Sequence, residues 1–244
     1  MNRVAVVTGG AGGLGRAVAL RLADLGCHIA IADLRPAGDT VKEVIARGRQ
    51  AYSEICDLAS ATAIDQFTAN ALARFGRCDI LVNNAAHQAL RSLQELDLVT
   101  WRRVQAVNVD APYLLCAAFV PGMIERRYGR VVNIVSNTVW EPPHEGFLPY
   151  VTSKAGLLGF TRALAVEVGG SRVTVNAVAP GLTRTSGAIR GNSPENFESV
   201  RLRQAVKQTI EPSDVAGAVA FLVSDEAAMI TGQALRVDGG LVTL

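Results

Sequence analysis

Lysine is scarce in this 244-residue chain: only Lys42, Lys154 and Lys207 stand against 21 arginines. No basic run or basic-aromatic stripe forms, and the formal net charge is +2, which excludes nucleic acid as an expected partner. The four cysteines, Cys27, Cys56, Cys78 and Cys116, are far apart and make no CxxC pair. That pattern suits buried reduced thiols in a cytoplasmic protein rather than a disulfide framework. Metal is equally unsupported, because "HEGFL" at 144–148 lacks the second histidine of HExxH, and His28 and His87 are isolated. No run approaches the ~20 uninterrupted apolar residues of a membrane span. The opening "MNRVAVVTGG" shows no charged region followed by an apolar stretch and cleavage site, so neither a leader nor a membrane partner is expected.

What the chain does contain is apolar residue, 49% of the total, in short β-branched runs alternating with helix-length stretches. Strands are expected at 3–9, 28–33, 51–57, 79–85, 130–136, 172–180 and 234–240, with helices at about 13–26, 36–48, 60–75, 97–125, 150–168 and 212–223. Most strands are apolar on both faces, as a parallel sheet covered by helices on both sides requires. The expected fold is therefore α/β: one doubly wound Rossmann-type domain over residues 1–244, with a seven-stranded parallel sheet. Residues 182–211, polar and containing Gly and Ser, break the alternation. They read either as a surface crossover or as a lid over a ligand at the carboxyl end of a strand.

"TGGAGGLG" (8–15) follows the first strand and opens a helix, with Gly9, Gly13 and Gly15 in GxxxGxG spacing. Such glycines permit a tight turn and close approach of backbone amides to a pyrophosphate at a helix N-terminus. Asp33 ends the second strand in "IAIADLRP". A carboxylate there accepts hydrogen bonds from the ribose hydroxyls of NAD and repels the 2′-phosphate of NADP. NAD is the expected cofactor, although Arg35 lies close by.

Tyr150 and Lys154 stand four apart at the start of a helix, so both face one cleft. A phenol can move a proton to or from an alcohol oxygen once its pKa is brought toward neutrality, and a nearby ammonium favours the phenolate. Ser136, at the end of the fifth strand, offers a hydroxyl to the same oxygen, or serves as a simple cap.

With these motifs the chain resembles the short-chain dehydrogenases/reductases. The resemblance is carried in order by "TGGAGGLG", "CDLAS" around Asp57, "NNAA" (83–86), "VNVDAP" with Asn108, "VNIVS" with Ser136, "YVTSK" (150–154), "VNAVAPGLT" (175–183) and "TGQALRVDGG" (231–240). It implies that Thr8 and Leu14 share the glycine motif's cofactor role, and that Asp57 and Leu58 flank the adenine. It further implies that Asn83 and the backbone at Asn84 and Ala85 line the cofactor path, and that Pro180, Gly181 and Thr183 meet the nicotinamide. Tyr150 and Lys154 would also hold the nicotinamide ribose. Asn108 would be a fourth catalytic member, positioning a water-linked proton relay to Lys154. The finer likeness is to NAD-dependent secondary-alcohol dehydrogenases of the 1-phenylethanol type, and also to 3-oxoacyl-carrier-protein reductases. Family members usually form tetramers through helices equivalent to 97–125 and 150–168 and the C-terminal segment, so a homotetramer is implied.

Two positions depart from the family pattern: Ala86 stands where a glycine is usual, and the Ser136–Tyr150 segment is about one residue longer and holds Pro142 and Pro143. Trp140, Phe147, Leu148 and His87 are expected at the substrate wall, suiting an apolar small molecule. The leading expectation is interconversion of a secondary alcohol and a ketone. A 3-oxoacyl thioester reductase and a non-catalytic NAD-binding sensor or assembly protein are the alternatives.

Overall fold

The computed structural model describes residues 3–243. Seven strands run in chain order as β1 (Val4–Thr8), β2 (His28–Asp33), β3 (Ala51–Ile55), β4 (Ile80–Asn83), β5 (Gly129–Ile134), β6 (Val173–Pro180) and β7 (Ala234–Val237). They form one parallel sheet in the order β3-β2-β1-β4-β5-β6-β7. The chain builds outward from β1 to β3, then returns to β1's other side with β4. That reversal leaves a crevice at the carboxyl ends of β1 and β4, where open α/β sheets receive ligands.

Side chains alternate across the pleat, which explains why both faces are apolar. Ala5, Val7, Ile29, Ile31 and Val82 point to one core, built with Val18 and Leu22 of helix α1 (Gly13–Asp24) and Val215 and Val219 of α9 (Pro212–Leu222). Val6, Ala30, Leu81 and Val131 point to the other, against Phe67 of α3 (Ala61–Phe75) and Leu115 and Phe119 of α5 (Ala111–Glu125). Each such aliphatic or aromatic burial contributes about 1.5–3 kcal/mol. Local chemistry sets the ends: the Ser60 hydroxyl accepts from Ala63 N at the start of α3, and Gly76 closes it at φ +71°. Helix α2 (Gly38–Ala46) completes the first layer.

The expected helix at 97–125 is α4 (Leu98–Gln105) joined to α5 through a π turn at Ala106–Asp110. Asp97 accepts from Thr100 N at 2.6 Å and starts it. Leu98–Glu125 is the one helix among the described residues long and apolar enough to cross a membrane by length and composition; half of its most apolar window is buried inside the fold. The buried half packs on the sheet and α3.

Helix α6 (Leu148–Val168) carries Tyr150 and Lys154 and packs on β6. Residues 182–211 contain two short helices, α7 (Ser186–Gly191) and α8 (Pro194–Arg203). The excursion leaves and returns at one point, where Thr183 bridges Ile210 and Arg184 N donates to Ile210 O at 2.8 Å.

Candidate active site

The glycine turn is built around contacts that leave no room for a Cβ. Gly9 and Gly13 have φ of +71° and +54°, which L side chains rarely adopt. At Gly15 a Cβ would lie 2.1 Å from the Gly9 carbonyl oxygen and 2.6 Å from Asn84 Nδ2. Thr8 anchors the opposite wall: its Oγ1 accepts from Asn84 N and Ala85 N, both at 3.0 Å. The Asn84 amide donates back to Thr8 O at 2.8 Å. No side chain caps the amino end of α1, so its first amides and Leu14 border the cleft. Asn83 turns inward instead; it is buried and donates to Asn133 Oδ1 at 2.8 Å, so of the expected cofactor path only its successors Asn84 and Ala85 line the cleft.

Asp33, 7% exposed, is fixed at the end of β2 by two amides. Ala11 N donates to Oδ2 and Arg35 N to Oδ1, each at 2.9 Å. The Arg35 guanidinium lies 3.7 Å from the same carboxylate and reaches over Gly12. Further along, the Asp57 carboxylate accepts from Ala59 N at 3.0 Å and from both Arg103 Nη1 and Nη2 at 3.0 and 2.9 Å. The Ala59 amide and Arg103 hold its carboxyl below the usual range. Arg103 was not expected from sequence, since nothing in the α4 pattern ties it to Asp57. Leu58 also lines this end.

At the other end Ser136, Tyr150 and Lys154 converge. Ser136 and Tyr150 line the same stretch of the cleft. Lys154, 1% exposed, donates from Nζ to Ile134 O at 2.7 Å and stands 5.7 Å from the Tyr150 ring centroid. Burial pushes Tyr150 up to about 12 while the Ser136 hydroxyl pulls the other way. Burial also drives Lys154 down to about 7. The ammonium expected to lower the phenol is outweighed: burial dominates and favours the neutral form of both groups. A cation bound beside them would favour the Tyr150 phenolate while pressing Lys154 further toward its neutral form.

Asn108 is fully buried in the π turn. Its side chain clamps the segment after β4, accepting from His87 N at 2.8 Å and donating to His87 O at 3.0 Å. It also donates to Ser153 Oγ at 2.9 Å, and Ser153 in turn donates to Tyr150 O. Asn108 thus touches the Tyr150 helix through Ser153, not through its own side chain on Lys154.

Pro180 ends β6, Gly181 and Thr183 follow it, and all three line the cleft, with Thr183 Oγ1 donating to Gly181 O at 3.1 Å. Thr185 lies 3.4 Å from where a Gly13 Cβ would stand, so the start of the 182–211 excursion crosses the glycine turn. The cleft is about 890 Å³. Of the four expected wall residues, His87 and Phe147 line it. Trp140 does not: it packs beside Leu157 and Leu158 under Arg236. Leu148 does not either, being exposed on α6. Thr138, Glu141 and His144 line the wall unexpected, and an ion pair of Glu141 with Arg203 joins the loop to α8.

The residues fit a dinucleotide: a turn with no room for a Cβ at Gly9, Gly10 or Gly15, an uncapped helix start and a carboxylate held at the adjoining strand end. Fold and cleft together define a doubly wound oxidoreductase that binds a nicotinamide cofactor. A family model described as "Enoyl-(Acyl carrier protein) reductase" matches residues 9–242. The chain belongs to the short-chain dehydrogenase/reductase family. It is 38% identical over 242 residues to the (2S)-[(R)-hydroxy(phenyl)methyl]succinyl-CoA dehydrogenase subunit BbsD of Thauera aromatica, covering 98% of this chain and 96% of that one. It is 36% identical over 244 residues to a 3-oxoacyl-[acyl-carrier-protein] reductase of Synechocystis sp., covering 98% and 97%. Among solved structures, a blue fluorescent protein from a metagenomic library in complex with NADPH superposes with a TM-score of 0.92 at 33% identity, covering 99% of this chain and 98% of that one.

Proposed function

We propose that this protein interconverts a secondary alcohol and a ketone with NAD, using Tyr150 as the general acid/base. The observation that carries this reading is the meeting of the Ser136 and Tyr150 hydroxyls beside buried Lys154 in the same cleft that Asp33 borders. The glycine turn, Asp33, Asp57 and Leu58 would hold the adenosine half, and Asn84, Ala85, Pro180, Gly181 and Thr183 the nicotinamide half. When bound, the nicotinamide supplies the hydride acceptor or donor and a positive charge.

Tyr150 takes the alcohol proton in oxidation and returns it in reduction. Ser136 donates a hydrogen bond to the substrate oxygen as negative charge grows there. Lys154, anchored on Ile134 O, favours the phenolate whenever it is itself protonated. Asn108 keeps the segment after β4 and the start of α6 in register through His87 and Ser153.

The substrate is read as a small, largely apolar alcohol, and the 1-phenylethanol type remains the leading candidate. Segment 182–211 acts as its lid. The protein works in the cytoplasm as a homotetramer and without nucleic acid or membrane. A second reading, NADPH-dependent 3-oxoacyl thioester reduction, is favoured by one feature: the Arg35 guanidinium beside Asp33 offers a cation to a 2′-phosphate.

Absorbance at 340 nm separates these. Both enantiomers of 1-phenylethanol, aliphatic and cyclic secondary alcohols and a 3-hydroxyacyl thioester are offered with NAD or NADP. Turnover of a small alcohol with NAD is the expected result. Activity confined to NADP and the thioester would overturn the first reading in favour of the second.

A further inference from the structure

The Ser136 hydroxyl has a neighbour that none of the family motifs includes. Ser136 stands just past β5, and the chain turns there into a single 3₁₀ turn, Asn137–Val139. Thr138, inside that turn, touches Ser136 twice. Its backbone N–H donates to Ser136 Oγ at 3.2 Å, and its hydroxyl pairs with the same oxygen at 2.9 Å. Thr138 itself lines the cleft.

A serine hydroxyl has two acceptor lone pairs and one proton to donate. With the Thr138 amide and hydroxyl both donating to it, the oxygen's acceptor capacity is filled, and only its proton is left to direct. Ser136 and Tyr150 line the same cleft, and the Ser136 hydroxyl pulls the Tyr150 phenol down against its burial, as a donor to it would. A serine held in this way can donate to an oxyanion or phenolate and has no lone pair free to accept from a neutral phenol. We propose that Thr138 is a positioning residue that fixes Ser136 as an obligate hydrogen-bond donor toward Tyr150 and the reacting oxygen. This rests on the reading of Tyr150 as the acid/base.

Removing the Thr138 hydroxyl frees one Ser136 lone pair. Ser136 can then turn and accept from the neutral phenol, which stabilises the protonated form of Tyr150 and leaves the substrate oxygen without its donor. The turn itself survives, since the amide contact is backbone and valine has nearly the shape of threonine. Tyr150's other neighbours, Lys154 on α6 and the Phe147 ring of the preceding loop, itself edge-on to His144, are untouched.

The test compares Thr138→Val, Thr138→Ser and Tyr150→Phe with the unaltered protein. Activity is read at 340 nm with NAD and the alcohol that the panel selects. A second readout needs no substrate: tyrosinate absorbance at 295 nm against pH with NAD present, taken as the difference between each protein and its Tyr150→Phe counterpart.

The expected result for Thr138→Val is a kcat about tenfold lower with KM within about twofold, equivalent to about 1.4 kcal/mol in the transition state. Its pH profile and its 295 nm midpoint move upward together, and Thr138→Ser restores all three. A Thr138→Val protein that matches the unaltered one, while Tyr150→Phe is inactive, overturns the role of Thr138 alone. So does a Thr138→Ser protein as impaired as the valine variant, because the methyl would then be what matters. Should Tyr150→Phe retain full turnover, the underlying acid/base reading fails, and the Thr138 inference fails with it.

Discussion

Replacing Gly15 by alanine is the sharpest structural perturbation available without touching any side chain. The new Cβ would lie 2.1 Å from the Gly9 carbonyl oxygen and 2.7 Å from the Gly9 carbonyl carbon, far inside the ~3.5 Å at which carbon atoms pack. Neither atom is a flexible side-chain end. Gly9 sits at φ +71° and its neighbour Thr8 is tied to Asn84 and Ala85, so relief requires the whole turn to shift. Overpacking of this kind costs about 1–3 kcal/mol, and in a chain of this length each kcal/mol is worth about 2–4 °C of Tm. The expected Tm loss is therefore about 2–12 °C. Displacing the amides that face the pyrophosphate should also weaken NADH binding at least about tenfold, or ~1.4 kcal/mol, read by fluorescence titration. Gly217→Ala is the matched control. Gly217 lies exposed in α9 with nothing within 4 Å of its Cβ position, and the change should raise stability by about 1 kcal/mol and leave NADH binding alone. A Gly15→Ala protein that melts and binds NADH like the unaltered one would refute the packing argument.

Lys154 should leave a signature in stability against pH. Its pKa is about 7 in the fold against ~10.4 unfolded. Between those values the unfolded chain holds the extra proton, so stability contributed by this group rises with pH from about 7 to 10. At ~1.4 kcal/mol per pH unit the ceiling is about 4 kcal/mol over that window. Lys154→Met should flatten the rise in thermal melts of the cofactor-free protein; an unchanged slope would contradict the buried-amine reading. Tyr150, raised to about 12, works against it only above pH ~10. Asp33→Ala removes the acceptor for Ala11 N and Arg35 N and leaves Arg35 as the unopposed charge at the ribose end. Titration should show NADH affinity falling about tenfold or more, ~1.4 kcal/mol, with NADPH affinity held or improved; equal losses for both would mean Asp33 only braces the turn.

Apolar character on both faces made most strands legible, because a sheet sandwiched between helices leaves little else to write there; the edge strands β3, with Ser53 and Glu54, and β7, with Arg236, are only partly buried and were found from the strand-helix alternation. Boundaries moved where glycine geometry intervened: β7, expected to reach residue 240, stops at Val237, and Gly239 and Gly240 beyond it both have positive φ. The 97–125 helix was visible, but its π turn was not. One extra residue in a helical turn alters no propensity and barely disturbs a periodic pattern, yet it is what buries Asn108. Residues 182–211 looked merely polar because α7 and α8 bury none of their residues fully. The glycine turn, Asp33, Ser136, Tyr150 and Lys154 could be named from spacing because each sits at a strand end or a helix start. Arg103 on Asp57 and Thr138 on Ser136 could not, since both depend on side-chain direction. Trp140 and Leu148 were placed on the wall by proximity in sequence to Ser136 and Tyr150, and the 3₁₀ turn and the helix start rotate them away.

The most direct test of the central claim is Tyr150→Phe, measured for turnover at 340 nm with NAD and a secondary alcohol, and for NADH affinity by fluorescence. Loss of one hydroxyl from a general acid/base should lower kcat about 10²–10⁴-fold while NADH still binds as it does to the unaltered protein. Turnover retained within about tenfold by a variant that binds NADH normally would contradict the account.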